Sequence, residues 1–299
     1  MDLGRIGIWW SGSWHLADDR SFDVPAALQE LGYGALWSSG RFDPGLSPHF
    51  GEILSGASHV PVASGIVSIW VGAAADVAAG VADLERRFPG RFLLGVGASH
   101  SLAVHDYARP YARMVAYLDA LDAAEIPVPP ERRVLAALGP RMLDLSAQRA
   151  AGAHPYFVPA AHTERARARL GPGPLLTPEV AVVLCPDRSE TGALAREYAS
   201  IYLGLENYTN NLRTLGYDDA DFADGGSDRL IDALIPSGDA AAVAAGVHEH
   251  LAAGADHVCV QVVANMRAFP FDEYRELAPA LLGRWGPYTS VDRIDLQCG

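Results

Sequence analysis

Short apolar runs alternate with longer stretches in which apolar positions recur three and four apart, from one end of the chain to the other. The short runs are rich in Val, Ile, Leu and Trp and read as strands buried on both faces. The longer stretches are Ala-rich and read as crossover helices, so the pattern is one of repeated βα units around a parallel sheet. Eight strands are expected, at Arg5–Trp10, Ala35–Trp37, Val62–Ile69, Phe92–Val96, Arg133–Ala136, Ala153–Val158, Val180–Cys185 and His257–Val263. Helices are expected at Val24–Leu31, Ala73–Arg87, Tyr111–Ala124, Met142–Ala151 and Ala240–Ala253. Eight units suggest an α/β fold closed into a single (β/α)8 TIM barrel, which needs about 250 residues.

The seventh unit is too long for one crossover. Between Ser189 and Leu251 it holds an Arg/Glu/Tyr-rich helix, a polar stretch at Glu206–Tyr217, the acidic loop DDADFADGG and a further helix from Ser227. A helical insertion after strand 7, covering about 189–238, is therefore expected, on the side of the barrel where active-site loops lie. No Pro/Gly/Ser-rich linker divides the chain, and residues 1–299 are read as one domain.

Charge and composition narrow the chemistry. With 49% hydrophobic and 20% charged residues and a mean hydropathy of +0.08, the chain can bury a sizeable core. A net charge of −13 argues against nucleic acid or anionic lipid as a partner and favours a small-molecule substrate. The most apolar segment, Val60–Ala75, is broken by Pro61, Gly65 and Gly72 and is too short to span a bilayer. The N-terminal MDLGRIGIWW lacks a basic segment leading into an apolar run, so no secretory signal is expected. Cys185, Cys259 and Cys298 show no CxxC spacing, which suggests neither a disulfide framework nor a zinc site and points to the reducing cytoplasm. The sequence contains no lysine, which removes Schiff-base aldolases, pyridoxal enzymes and P-loop enzymes.

In RVLAALGPRM the strand ends near Ala136, Gly139 takes a capping position and Pro140 suits the first helical position. The helix start, with Arg141 and Met142 following, would present free amides and a guanidinium to a phosphate; a plain helix start with a solvated arginine is the alternative. In RFLLGVGASHS the third glycine of a dinucleotide fingerprint is absent, and Ser101 stands where a nucleophile elbow needs glycine. His100 is then a candidate proton donor or hydrogen-bonding group at a strand end, or a structural histidine. His105 and Asp106 lack partners at ligand spacing, so no metal is expected. His248 and His250 lie two apart on a helix, facing different ways, and read as surface residues. Trp9, Trp10, Trp37 and Trp70 fall near the C-terminal ends of the first three strands, where they could wall a planar ring. Gly65 in SGIVSIW marks a bulge or a close backbone approach to a ligand, or relieves twist.

The order of SGIVSIW, LERRFPGRFLLGVGASH, RPYARMVAYLDAL, VLAALGPRMLDLSAQRAAGAHPYFV and HLAAGADHVCVQV resembles the luciferase-like flavin and deazaflavin enzymes, in particular an actinobacterial group assigned to coenzyme F420. The resemblance covers nearly the whole chain. It implies a TIM barrel, commonly a homodimer, with the deazaflavin at the C-terminal mouth and a non-proline cis peptide in the third strand, at Gly65-Ile66. Cofactor contacts would fall on Trp9, Ser38, Gly65, Ile66 and Trp70 for the ring, and on Gly139, Pro140, Arg141 and Met142 for its phosphate. His100 would handle the proton, with Arg41 and Tyr107 from adjoining loops. Relatives often carry histidine or glutamate after the second strand, where this chain has Ser38-Ser39-Gly40-Arg41.

The expected function is hydride transfer between F420 and a small organic substrate. An FMN-dependent monooxygenase, a catalytically silent cofactor-binding homologue and a phosphate-sugar isomerase stay open on the same fold.

Overall fold

In a computed structural model of the chain, residues 1–12, 23–40, 45–100, 107–185, 187–264 and 268–283 are described. The expected strands at both ends of the chain pair side by side: β1 (Ile6–Trp10) lies between β2 (Leu36–Ser38) and β11 (Val258–Val262). Beyond β2 follow β3 (Val62–Ser64), β5 (Phe92–Gly97) with the short β4 (Val67–Ser68) beside it, β6 (Arg133–Leu135), β7 (Gly152–Ala153) and β8 (Leu175–Leu176). On the other side of β11 lie β9 (Glu179–Leu184) and β10 (Ser237–Gly238). Every pairing is parallel.

One stretch of chain carries both ends of this order. Thr177 and Glu179 donate their N–H groups to Ala153 O and Pro155 O, each at 2.9 Å, while Pro178 O accepts from Cys259 N at 2.9 Å. Residues 175–184 thus bond to the sixth strand on one side and the eighth on the other, the connectivity of an eight-stranded barrel. The third strand is split into β3 and β4, the seventh into β8 and β9, and β10 is an addition from the insertion.

Side-chain alternation sorts the strand residues into two layers. Ile6, Ile8, Trp10, Leu36, Val62, Phe92, Leu94, Val258 and Val260 join the outer core beneath the helices. Trp9, Trp37, Ala63, Leu93, Val134 and Cys259 form the inner one. Each outer face is covered by a helix bearing its own apolar stripe: α1 (Val24–Leu31), α2 (Leu46–Gly56), α3 (Ala74–Arg87), α4 (Pro110–Asp122), α5 (Pro140–Arg149), α6 (Ala160–Leu170), α11 (Ala240–Ala252) and α12 (Phe271–Leu282). The insertion is helical, as α7 (Arg188–Leu203), α8 (Glu206–Arg213), α9 (Asp219–Phe222) and α10 (Asp228–Leu234), and its apolar residues cluster with Phe157, Ala181 and Val183 of the barrel. The polar stretch Glu206–Tyr217 is therefore mostly helix.

Three expectations are corrected. The sixth strand ends at Ala153 rather than Val158, because His154-Pro155 turns the chain and Phe157 adopts φ +54°. The third strand breaks after Ser64, where the Gly65-Ile66 peptide is cis. His250 is buried, its Nδ1 2.8 Å from Thr163 Oγ1, because it faces α6; only His248 is exposed. Cys259 is a free, fully buried thiol, and Cys298 lies outside the described residues. No described helix is long and apolar enough to cross a membrane.

Candidate active site

At the C-terminal ends of the strands lies a cavity of about 450 Å³, whose wall includes Trp9, Gly65, Ile66, His100, Tyr107, Gly139 and Met142. Seven of the residues singled out in the sequence therefore converge. Gly65 leaves no room for a larger residue in this wall: a Cβ there would stand 2.2 Å from Trp9 Nε1 and 3.1 Å from His154 Nε2. Those two ring nitrogens are buried and have no hydrogen-bond partner. His154 Nδ1 sits 2.6 Å from Thr177 O, which can only accept, so Nδ1 carries the proton and Nε2 a lone pair. Burial holds this ring neutral, with a pKa pushed down to about 4. One unused donor and one unused acceptor therefore flank the glycine.

The glycines of LLGVG serve this wall. A Cβ on Gly95 would lie 1.9 Å from Ser64 O, and one on Gly97 would lie 2.6 Å from Ile66 Cδ1. They admit the broken third strand. Ser64 Oγ accepts from Gly95 N at 2.7 Å and donates to Gly95 O at 3.0 Å, clamping the break in place. Beyond Gly97, Ser99 takes φ +56° and His100 comes to the cavity half-buried, its Nδ1 without a partner. Desolvation lowers its pKa below the ordinary histidine value, which favours a neutral ring.

Other anticipated residues stand elsewhere. Trp70 donates Nε1–H to Ala98 O at 2.6 Å and packs its ring 5.4 Å from Tyr107, bracing the wall from behind. Ser38 is fully buried with Oγ 3.0 Å from His49 Nε2, and its neighbour Ser39 reaches the cavity instead. Trp10 points outward against Phe269, and Trp37 lies inside the barrel, stacked on His154 at 4.5 Å. Of the four strand-end tryptophans only Trp9 walls the cavity, because successive side chains on a strand face opposite ways. Arg41, His105 and Asp106 lie outside the described residues.

The RVLAALGPRM turn forms as expected, except that α5 begins two residues early. Gly139 is the N-cap, Pro140 the first helical residue, and no side chain caps the end. Gly139, Pro140 and Arg141 are exposed. Arg141 lies 4.1 Å over the Tyr111 ring and Arg113 lies 5.5 Å over Trp70. Among the described residues neither makes an ion pair, nor does Arg109 beside them. None of the three lines the cavity, although Pro110, Gly139 and Met142 from the same segments do. No group of three His, Cys, Asp or Glu among the described residues could hold a metal ion.

Sequence reasoning missed the far wall, where Tyr156, Tyr202 and Tyr208 line the cavity. Tyr156 OH lies 2.8 Å from Tyr198 OH, 2.9 Å from Tyr202 OH and 2.9 Å from Gln261 Oε1. The available signal was the i, i+4 spacing of Tyr198 and Tyr202, which puts both on one helix face. Nothing local pairs them with Tyr156.

The luciferase-like monooxygenase description matches residues 22–268, and the chain belongs to that family. No curated protein matches it. Among solved structures it is similar to an F420-dependent secondary alcohol dehydrogenase in complex with an F420–acetone adduct, at 15% identity and TM-score 0.68 over 93% of this chain and 98% of that one. The coenzyme F420-dependent tetrahydromethanopterin reductase of Methanopyrus kandleri aligns at 13% identity and TM-score 0.66, over 94% and 99%. The oxygenating component of 3,6-diketocamphane monooxygenase from Pseudomonas putida, in complex with FMN, aligns at 12% identity and TM-score 0.60, over 93% and 96%.

Proposed function

We propose that the protein is an F420-dependent oxidoreductase that transfers a hydride to or from a small organic substrate. The observation that carries this reading is the cavity wall at Gly65 and Ile66, beside which stand the buried, unpartnered Trp9 Nε1 donor and His154 Nε2 acceptor. A tricyclic ring edged with carbonyl and N–H groups answers both, and a cavity of about 450 Å³ is of the size that holds such a ring. The residues present fit the group. When bound, a deazaflavin supplies two-electron hydride chemistry with little reactivity toward oxygen.

In this reading Trp9 and His154 orient the ring edge and Gly65 and Ile66 support its face. Gly139 to Met142, with Arg141, receive the anionic phosphate tail. His100, held neutral by desolvation, hydrogen-bonds the substrate at the open side, and Tyr107 limits the space opposite. Titration of the purified protein with F420 and with FMN, followed by fluorescence, tests the assignment. Tight binding of F420 with FMN ignored supports it, the reverse makes the protein a flavin monooxygenase, and indifference to both removes the reading.

A further inference from the structure

We infer that the cavity takes, beside the cofactor ring, an uncharged aromatic substrate: a molecule of about one ring that bears a carbonyl or hydroxyl oxygen and lies along Tyr202 and Tyr208. This deepens the reading above and rests on it, since it takes the cavity to be the place where hydride is exchanged.

Charge sets the first limit. The chain carries 36 acidic and 23 basic residues, yet among the described residues the cavity wall includes no Asp, Glu or Arg. Its titratable groups there are two histidines and four tyrosines. Desolvation lowers the pKa of both histidines, that of His154 to about 4, and burial raises those of Tyr107, Tyr156, Tyr202 and Tyr208. At neutral pH this wall is therefore uncharged. Arg109, Arg113 and Arg141 stay outside it. An ionised substrate would exchange its water for a surface with no counter-charge, whereas a neutral one loses little on entry.

Shape sets the second. Trp9, Tyr156, Tyr202 and Tyr208 all line the cavity, and they succeed one another with ring centroids 5.3 Å apart at each step. The row begins beside Gly65, where the cofactor ring is placed, and ends on α8. Tyr156 donates its proton to Gln261 Oε1 at 2.9 Å, so its oxygen accepts from Tyr202 at 2.9 Å. Both protons are engaged within the wall, and these two residues offer the cavity ring surface. Flat rings gain from such surface through offset or edge-to-face contacts at about 4.5–7 Å, which a saturated ring does not make. Tyr208 differs, since among the described residues its hydroxyl has no hydrogen-bond partner, and His100 Nδ1 has none either. A substrate carbonyl can accept the Tyr208 proton. A substrate hydroxyl can accept it too and give its own to the neutral His100 ring.

The test titrates the full-length protein without cofactor with acetophenone, cyclohexyl methyl ketone, benzoate and toluene, followed by ligand-observed NMR. Acetophenone should bind about tenfold more tightly than the saturated ketone, and on the order of a hundredfold more tightly than benzoate. Tyr208→Phe should weaken acetophenone about tenfold and leave toluene, which has no oxygen, unchanged. A merely structural tyrosine would weaken both. Saturation with F420 should leave acetophenone bound, because it lies beside the ring. No binding of acetophenone, equal affinity for the saturated ketone or for benzoate, parallel losses in Tyr208→Phe, or displacement of acetophenone by F420 each overturns the substrate class. Failure of F420 itself to bind removes the functional reading alone, since the probe affinities of the cofactor-free protein do not depend on it.

Discussion

Trp37 donates its indole N–H to His257 Nε2 at 3.1 Å, across the inside of the barrel. On its other side His257 Nδ1 lies 2.9 Å from Gly4 O. A carbonyl cannot donate and neither can the receiving Nε2 lone pair, so the ring is fixed as the neutral Nδ1–H tautomer. Desolvation drives the pKa of His257 down to about 4, as it does those of His154 and His250. For a base with a depressed folded-state pKa, the unfolded chain binds the extra proton between pH 4 and the ordinary value of 6.5. Stability is therefore full above about 6.5 and falls as the pH drops, by about 4 kcal/mol per unit for three such groups. Glu179 works the other way: with its pKa raised from 4.5 to about 8, its contribution is complete below 4.5 and lost as pH rises through 8. The expected result is a stability maximum near pH 6.5 and a steep acid limb, read from Tm against pH. A Tm that is flat between pH 7 and pH 5 would contradict the buried neutral histidines.

Removing the donor tests the same pair by substitution. Trp37→Phe keeps most of the ring volume and its stacking on His154, but leaves His257 Nε2 buried and unsatisfied. The expected cost is about 1–3 kcal/mol in denaturant unfolding. A double variant that also replaces His257 by Leu should recover part of it, since the buried Nε2 is then gone and the carbonyl of exposed Gly4 can turn to water.

The framework could be read from the sequence wherever one residue's neighbours along the chain decide its environment. Ile6, Ile8 and Trp10 alternate with Gly7 and Trp9 because the strand does, and Gly139-Pro140 begins a helix by local chemistry alone. Gly65 within an apolar strand marks a bulge or close approach by itself, but the cis peptide at Gly65-Ile66 was anticipated only through resemblance to a family. What stayed hidden depends on distant chain. Ala153–Val158 looks like a continuous strand, yet Tyr156 is drawn inward to tyrosines more than forty residues away, with |i−j| of 42 to Tyr198. Glu179 reads as a strand-end carboxylate facing water until β11 and α7 close over it.

Two glycine substitutions should separate packing from binding. At Gly95 the added Cβ meets backbone, Ser64 O at 1.9 Å, which cannot move without reopening the clamp between β3 and β5. Gly95→Ala should cost about 1–3 kcal/mol or more in stability. At Gly65 the nearest atom is the Trp9 indole at 2.2 Å, a side chain rather than backbone. Gly65→Ala should thus lose less stability than Gly95→Ala while abolishing F420 binding, as measured by fluorescence titration and thermal unfolding of the same preparations. Retained binding in Gly65→Ala would remove this face from the site.

Arg141 offers the cleanest separation of ligand from fold. It is exposed, makes no ion pair among the described residues, and rests on Tyr111, so Arg141→Ala should change stability by less than about 0.5–1 kcal/mol, the worth of an exposed cation–π contact. Its charge, however, stands beside an uncapped helix start where an anionic tail would meet it. Losing a charge-assisted contact there should weaken cofactor binding by roughly 1.5–3 kcal/mol. The deficit should shrink as salt is raised, because exposed charges are screened over about 10 Å at 0.1 M. Arg141→Lys should restore only part of the affinity, since an ammonium keeps the charge but not the two-pronged geometry. An affinity unchanged by Arg141→Ala at low salt would mean that the tail, if bound at all, leaves the cavity by another side.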